Sequence, residues 1–283
     1  MDAERSAPNG RFSFGRNWDR FVRENFSDER VEISGRHLLG FLGLPDLAGK
    51  SFLDIGCGSG IHSLAAFLSG ASRVVSLDVD PFSVRATQRV REKAGAPSTW
   101  AVLEGSILDP DFVSNIEPAD IVYSWGVLHH TGDLWTAMGN AAGRVLPGGL
   151  FYVGIYEKVS DSGYWEDVKR RYNHASPAKK ALMELGYVYR KFFRRKAPRT
   201  LLESIRYIRD YRANRGMSFW TDVRDWLGGW PYEPATPGEV TAFCEKIPGM
   251  KTVKVVTGQA NVEYLFVRGH EESAGSAFTT DGQ

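Results

Sequence analysis

Two rhythms of apolar and polar positions run through the chain. Phe52–Ile55, Val74–Asp78, Trp100–Leu103, Asp120–Ser124 and Leu150–Tyr156 are short apolar runs without alternation, as expected of strands covered on both faces. Between them apolar residues recur at helical spacing: Ile61, Leu64, Ala65 and Leu68, then a helix from Pro81 to about Lys93, then roughly Leu134–Val145. Strand followed by helix, repeated, predicts a doubly wound parallel α/β sheet with right-handed crossovers. Upstream, Trp18, Phe21 and Val22 share a helical face, and a second helix runs from Ser27 or Asp28 to Leu42. The first is read either as packed on a sheet edge or as a lid.

After Tyr156 the pattern breaks. Residues 157–235 read as a helical insertion, with helices at Tyr164–Tyr172, Pro177–Arg194 and Thr200–Ala213, then a tryptophan-rich loop, SFWTDVRDWLGGWPYE. Thr236-Pro237-Gly238-Glu239 is a capping box that opens a helix to about Lys246. Lys251–Val256 and Val262–Val267 form an antiparallel hairpin around a Gly258–Asn261 turn. Residues 1–10 and 270–283 are polar and expected to be disordered. The core domain is therefore 11–156 with 236–269.

Composition narrows the class. No apolar run approaches the roughly 20 residues of a membrane span, and the polar N-terminus shows no signal peptide. Cys57 and Cys244 are far apart, which fits a reducing, cytoplasmic setting. The 35 Lys and Arg nearly balance the 34 Asp and Glu. Fifteen of the basic residues nevertheless fall between Lys169 and Arg215, against only Glu184, Glu203 and Asp210. That run is a solvated helix face, or it meets an anionic substrate, a membrane surface or RNA.

The candidate chemistry starts at Ser51–Gly60, SFLDIGCGSG. A strand, a glycine turn and a helix let a ligand lie against bare backbone. A dinucleotide fingerprint places its third glycine one position later than Gly60, and a phosphate cradle has no use for the strand-end acid Asp54. The strand-end acid with G-x-G-x-G resembles motif I of class I S-adenosylmethionine (SAM)-dependent methyltransferases. The resemblance covers Ser51–Tyr156 and Thr236–Arg268. It implies a Rossmann-like, mostly parallel seven-stranded sheet with one antiparallel strand and a helical cap, and SAM as cofactor.

Carried onto this chain, the resemblance assigns Asp54 to the methionine amino group, with backbone contact from Gly56, Cys57 and Gly58. Asp78 is assigned to the ribose hydroxyls, with Asp80 as its weaker rival. Where many relatives have Gly-Asp, this chain has Gly105-Ser106; the Ser106 hydroxyl and the Ile107 N–H are then expected at the adenine. Val79, Ser124 and the lid residue Trp18 complete the expected cofactor set.

The run Ser124-Trp125-Gly126-Val127-Leu128-His129-His130 resembles the segment after strand four in small-molecule methyltransferases, including the ubiquinone-biosynthesis O-methyltransferases. His130 matches a position used as an acid or base in some relatives, with His129 second. The plainer role is to orient the loop through a backbone carbonyl. Trp125, Tyr156, Tyr207, Tyr211, Trp220 and Trp226 are expected at the acceptor, or else in the core of the cap. Asp225-Trp226-Leu227-Gly228-Gly229 and Phe14-Gly15-Arg16-Asn17-Trp18 are similar to a bacterial subgroup of this superfamily.

No spaced Cys/His set or carboxylate cluster suggests a metal. The expectation is methyl transfer to an O or N of a small or medium-sized acceptor, such as a specialised metabolite, quinone-like lipid or sugar, which the basic run would favour if anionic. The alternatives are an RNA methyltransferase or RNA-binding protein using the basic insertion, a nicotinamide oxidoreductase, and a SAM-fold protein without activity. Nucleic acid is the less expected partner, since no base-methylator Asn-Pro or Asp-Pro motif follows strand four.

Overall fold

The apolar runs pair into one sheet. Its strands are β1 (Ser51–Ile55), β2 (Arg73–Asp78), β3 (Trp100–Glu104), β4 (Ala119–Trp125), β5 (Val145–Tyr156), β6 (Met250–Val256) and β7 (Asn261–Arg268), in the order β3-β2-β1-β4-β5-β7-β6. Neighbours from β3 across to β5 are parallel, and β7 runs antiparallel to both β5 and β6. The computed structural model describes residues 12, 14–193, 200–215, 219–258 and 261–270. Residues 1–10 and 271–283, expected to be disordered, lie outside the described residues.

The helices are α1 (Gly15–Asn25), α2 (Asp28–Leu42), α3 (Ile61–Leu68), α4 (Pro81–Lys93), α5 (Pro110–Ser114), α6 (Leu134–Ala142), α7 (Ser162–Asn173), α8 (Pro177–Phe193), α9 (Leu201–Arg215), α10 (Phe219–Gly228) and α11 (Pro237–Glu245). Two of the starts follow directly from side-chain chemistry. Asp80 accepts the Phe82 N–H at the head of α4, with Pro81 at the first helical position. Thr236 and Glu239 form the reciprocal capping box of α11.

One face of the sheet buries Phe52, Tyr123, Tyr152 and Trp100 under α2, α3 and α4. The other buries Val122, Phe151, Val153 and Phe266 under α6 and α11. Both faces of the central strands are thus dry, the condition under which strands lose their alternation; at the edge, β3 was expected to be covered on both faces but leaves Ala101 and Leu103 exposed, because only β2 flanks it. The insertion from α7 to α10 closes a separate core around Tyr172, Phe192, Tyr211, Phe219, Val223 and Leu227. No helix among the described residues is long and apolar enough to cross a membrane.

Three boundaries differ from the sequence reading. Phe219–Gly228, expected as loop, is α10, because Phe219, Val223 and Leu227 at successive turns bury against the cap. Pro110–Ser114, outside every expected element, is a one-turn helix whose cap is the Asp109 side chain, accepting from the Asp111 and Phe112 N–H groups. α6 ends at Ala142 rather than Val145, since Val145 is drawn into pairing with Ala119 at the start of β5.

Gly60 is required by packing. Its φ is +75°, and an added Cβ would lie 2.9 Å from the Thr87 Cα on α4. Gly60→Ala should cost about 2 kcal/mol, from the left-handed backbone and the displaced helix. Urea denaturation of the two proteins measures it.

Candidate functional site

β1 and β2 end side by side, and the turn between β1 and α3 folds back over them. The Gly56 and Cys57 N–H groups donate to the Leu77 carbonyl at 2.8 and 3.0 Å. The Gly58 N–H donates to Asp78 Oδ2 at 3.0 Å, and the Gly60 N–H to the Cys57 carbonyl at 2.8 Å. These donors are satisfied within the protein. A phosphate cradle needs such N–H groups turned outward, so the geometry goes against the dinucleotide alternative. The Cys57 thiol faces inward and accepts from the Thr87 hydroxyl; burial pushes its pKa up, so its contribution to the crevice is backbone.

Two carboxylates sit at this crevice with no cationic partner among the described residues. Asp54 is 2% exposed and accepts from the Ser63 hydroxyl; Ser63 accepts from the Ser76 hydroxyl, which in turn accepts the Trp100 indole N–H. Burial pushes Asp54 up to about 7 against the opposing bond from Ser63. Burial raises Asp78 to about 6 against the N–H groups of Asp80 and Gly58. A group that brings positive charge to this end of the sheet reverses that cost, so the donor set suits a cationic ligand better than a phosphate. Asp80, the rival to Asp78, caps α4 and accepts the Gly15 N–H at 3.0 Å.

The other cofactor candidates divide into exposed and inward-facing. Val79 is 46% exposed, directly after Asp78. Ser106 accepts the Leu108 N–H at 3.1 Å, and Ile107 is buried with its carbonyl bonded by Asn140. Ser124 is fully buried and ties β4 to β1 through the Ile55 carbonyl at 2.9 Å, a role in the sheet itself.

α1 packs along α4 and lays the Trp18 indole against the turn; a Cβ on Gly58 would fall 3.1 Å from its Nε1. The N-terminal segment also reaches the cap. The Phe12 N–H donates to the Trp230 carbonyl at 3.2 Å, and the Asn17 amide donates to Asp225. Of the two readings of this helix, the arrangement is that of a strap bridging the crevice and the insertion.

His130 stands where strap and cap meet. Its ring lies 5.3 Å from that of Phe14, and its Nδ1 is 2.6 Å from the Pro231 carbonyl. A carbonyl only accepts, so Nδ1 carries the proton and Nε2 is the basic nitrogen of the neutral ring. His129 is fully buried against Tyr156, and its Nδ1 accepts the Tyr156 N–H at 3.4 Å. Burial drives its pKa well down, and the neighbouring His130 and Lys169 add to that.

Beyond β5 a cavity of about 160 Å³ is lined chiefly by Tyr156, Trp165, Trp226 and Tyr232, with Asp161 and Glu157. Of the six residues expected at the acceptor, Tyr156 and Trp226 line it. Tyr207 and Tyr211 do not: they stack around Phe219 in the cap core, where the Tyr211 hydroxyl bonds Asp222 at 2.6 Å. Trp220 stacks edge-on to Phe219. Trp125 lies across Gly154 and donates to Glu263 at 2.8 Å. The aromatic content of the cap marked the region, but which rings face inward depends on helix packing.

Lys169 escaped the sequence reading, which counted it only as one more basic residue. It is 1% exposed, donates to the Trp226 carbonyl, and has no carboxylate partner among the described residues. Its position four residues after Trp165 and three before Tyr172, on the apolar face of α7, was the available signal.

Residues 53–151 match the family described as "Methyltransferase domain". Over that segment the chain is similar to the class I SAM-dependent methyltransferases. The ubiquinone biosynthesis O-methyltransferase of Methylobacterium sp. (strain 4-46) is 31% identical over 125 residues, covering 43% of this chain and 47% of that one. The ribosomal protein L11 methyltransferase of Aeromonas hydrophila is 30% identical over 120 residues, 42% and 40% of the two chains. The chain thus spans less than half the length of these curated relatives. The magnesium protoporphyrin IX methyltransferase of Synechocystis PCC 6803, solved with bound SAH, shares the methyltransferase fold at a TM-score of 0.52 and 13% identity, over 91% of this chain and 95% of that one. The matched family segment runs from β1 into β5 and includes the glycine turn; the cap and the β6–β7 hairpin lie outside it.

Burial lowers Lys169 to about 7 from 10.5. Between those values the unfolded chain holds the extra proton, so stability rises with pH from about 7 to 10 and is lowest below 7. Lys169→Met should flatten that rise and be the more stable protein at pH 6, read as urea midpoints across the range.

Proposed function

We propose that the protein transfers a methyl group from SAM to an O or N atom of a small or medium-sized acceptor held between the sheet and the cap. The observation that carries this reading is the pair Asp54, buried, and Asp78, half-buried, at adjacent strand ends with no cation among the described residues, beneath a glycine turn that an indole covers. When bound, SAM supplies an already electrophilic methyl on a positive sulfur. The chain then has to bind, align and keep water out.

The proposed roles follow the geometry. Asp78, which already accepts two N–H groups, offers its remaining lone pairs to the ribose hydroxyls. Asp54 offers negative charge toward the amino-acid end, directly or through water. Val79 presents an apolar surface to the adenine, and Trp18 closes the turn from above. Ser106, whose hydroxyl oxygen accepts the Leu108 N–H, still has an O–H to donate there. His130, with Nδ1–H held by the Pro231 carbonyl, presents Nε2 for a proton that the acceptor must lose. Its attachment to the cap couples acceptor seating to the orientation of that base.

The basic residues of the cap support the small-molecule reading over RNA. Arg170 and Arg171 pair with Asp167, Arg190 stacks on Tyr164, and Arg224 bonds Glu184. Charges held this way offer less to a phosphate backbone than a free basic stripe.

Two outcomes are expected. Asp78→Ala should weaken SAM and SAH binding at least tenfold by calorimetry; unchanged affinity removes the ribose role. His130→Ala should lower transfer of labelled methyl to a responsive acceptor at least tenfold while SAH affinity holds within threefold. Normal turnover would leave His130 only its tie to the cap.

A further inference from the structure

α8 is apolar on two sides. Met183, Tyr187, Val188 and Phe192 turn into the cap core. Leu182, Leu185, Tyr189 and Phe193 recur at helical spacing on the outer side, in solvent. α9 repeats the arrangement: Ile208 and Tyr211 turn in, and Leu202 and Ile205 turn out. The six outward side chains are between 38 and 68% exposed. Tyr189 and Phe193 pack against each other in the exposed row, with ring centroids 5.6 Å apart. A helix apolar on every side ordinarily lies buried. Single exposed apolar residues need no explanation, but rows of them rimmed by charge mark a contact face.

The rim is basic. Lys179 and Arg190 share one edge of the α8 row, and Arg206 and Arg209 stand beside the α9 row, all exposed. The chain as a whole has a formal net charge of only +1, yet the stretch from Lys169 to Arg215 holds fifteen Lys and Arg. Its acids are Glu184, buried with Tyr172 and Arg224; Glu203, which closes the start of α9 on Thr200; and Asp210, which pairs with Arg209. The stretch stays strongly positive.

What covers this face must offer apolar material beside negative charge. A second copy of the same face would set one positive rim against another. An RNA would meet the rim but leave Leu182, Leu185, Leu202 and Ile205 against phosphate and water. Residues 1–10 and 271–283 of this chain contain Met1 and Phe278 as their only large apolar side chains, too few to cover the rows. A bilayer with anionic headgroups supplies both halves, acyl chains for the rows and headgroup charge for the rim. Tyr189 suits that boundary, with a ring for the apolar layer and a hydroxyl for the headgroups. No described helix is long and apolar enough to cross a membrane, so the contact is with its surface.

We propose that the outer faces of α8 and α9 dock the cap onto an anionic lipid surface, the six apolar side chains inserted and Lys179 and Arg206 on the headgroups. This face is separate from the SAM crevice, and the proposal does not depend on the methyl-transfer reading.

The test is co-sedimentation of the full-length protein with vesicles of phosphatidylcholine alone, and of phosphatidylcholine and phosphatidylserine in roughly equal parts. Binding to the phosphatidylserine vesicles should be at least tenfold tighter and should weaken as salt is raised. The triple variant Leu182→Ser, Leu185→Ser, Tyr189→Ser should lower that binding at least tenfold with the circular dichroism spectrum unchanged. Leu202→Ser with Ile205→Ser should lower it at least threefold, a second route if the triple variant fails to fold. Lys179→Glu with Arg206→Glu should remove the preference for phosphatidylserine. Absence of binding to the phosphatidylserine vesicles, equal binding to both vesicles, or binding that survives the serine substitutions overturns the proposal. A wild-type dimer that the serine substitutions dissociate overturns it in favour of a second copy. Polyuridylate that displaces the vesicles from the wild type and binds the triple variant as tightly overturns it in favour of RNA.

Discussion

Close approach to one bare stretch of backbone organises the molecule. Each glycine of the β1–α3 turn is pressed by a different element. Gly56 is met by Val127 of the loop after β4, Gly58 by Trp18 of α1, and Gly60 by Thr87 of α4. A side chain at any of the three would displace that neighbour, and all three have a positive φ. The turn is therefore a junction as well as a ligand surface. It sets how far the β4 loop, the strap and α4 stand from one another, and so the width of the crevice they enclose.

The polar groups around that junction are sorted by sign. Carboxylates without cations gather at the ends of β1 and β2. Beyond β5 the His129 Nε2 and the Trp226 indole N–H are buried with no acceptor among the described residues, and Lys169 donates to the Trp226 carbonyl. Buried polar groups are normally satisfied within the fold. His130, next to His129, is bonded to the cap through Pro231 and touches the strap through Phe14. The contacts that join cap and strap therefore also fix where that imidazole stands.

The cap contributes stability of its own. Its core closes around Phe219 and Tyr211, and the Tyr172 hydroxyl bonds Glu184, which also receives Arg224. Holding Lys169 in this setting opposes folding below neutral pH, and the packed rings of the cap offset it.

Much of the core was legible in the sequence because its signals are local. Unbroken apolar runs report strands dry on both faces, three glycines report a turn that no side chain fits, and Thr236 with Glu239 reports a helix start. Asp54 and Asp78 could be singled out because strand register carries a residue from the chain directly to the edge of the sheet. The cap was less legible, since helical spacing shows that a face is buried but not against what. Tyr207 and Tyr211 share the aromatic character of Tyr156 and Trp226, and only the packing of α7 to α10 sends one pair inward to a core and the other to a cavity. Lys169 looked like its fourteen basic neighbours. What distinguishes it is its burial, with no carboxylate partner among the described residues, and those are properties of the assembled surroundings that no short stretch of chain carries.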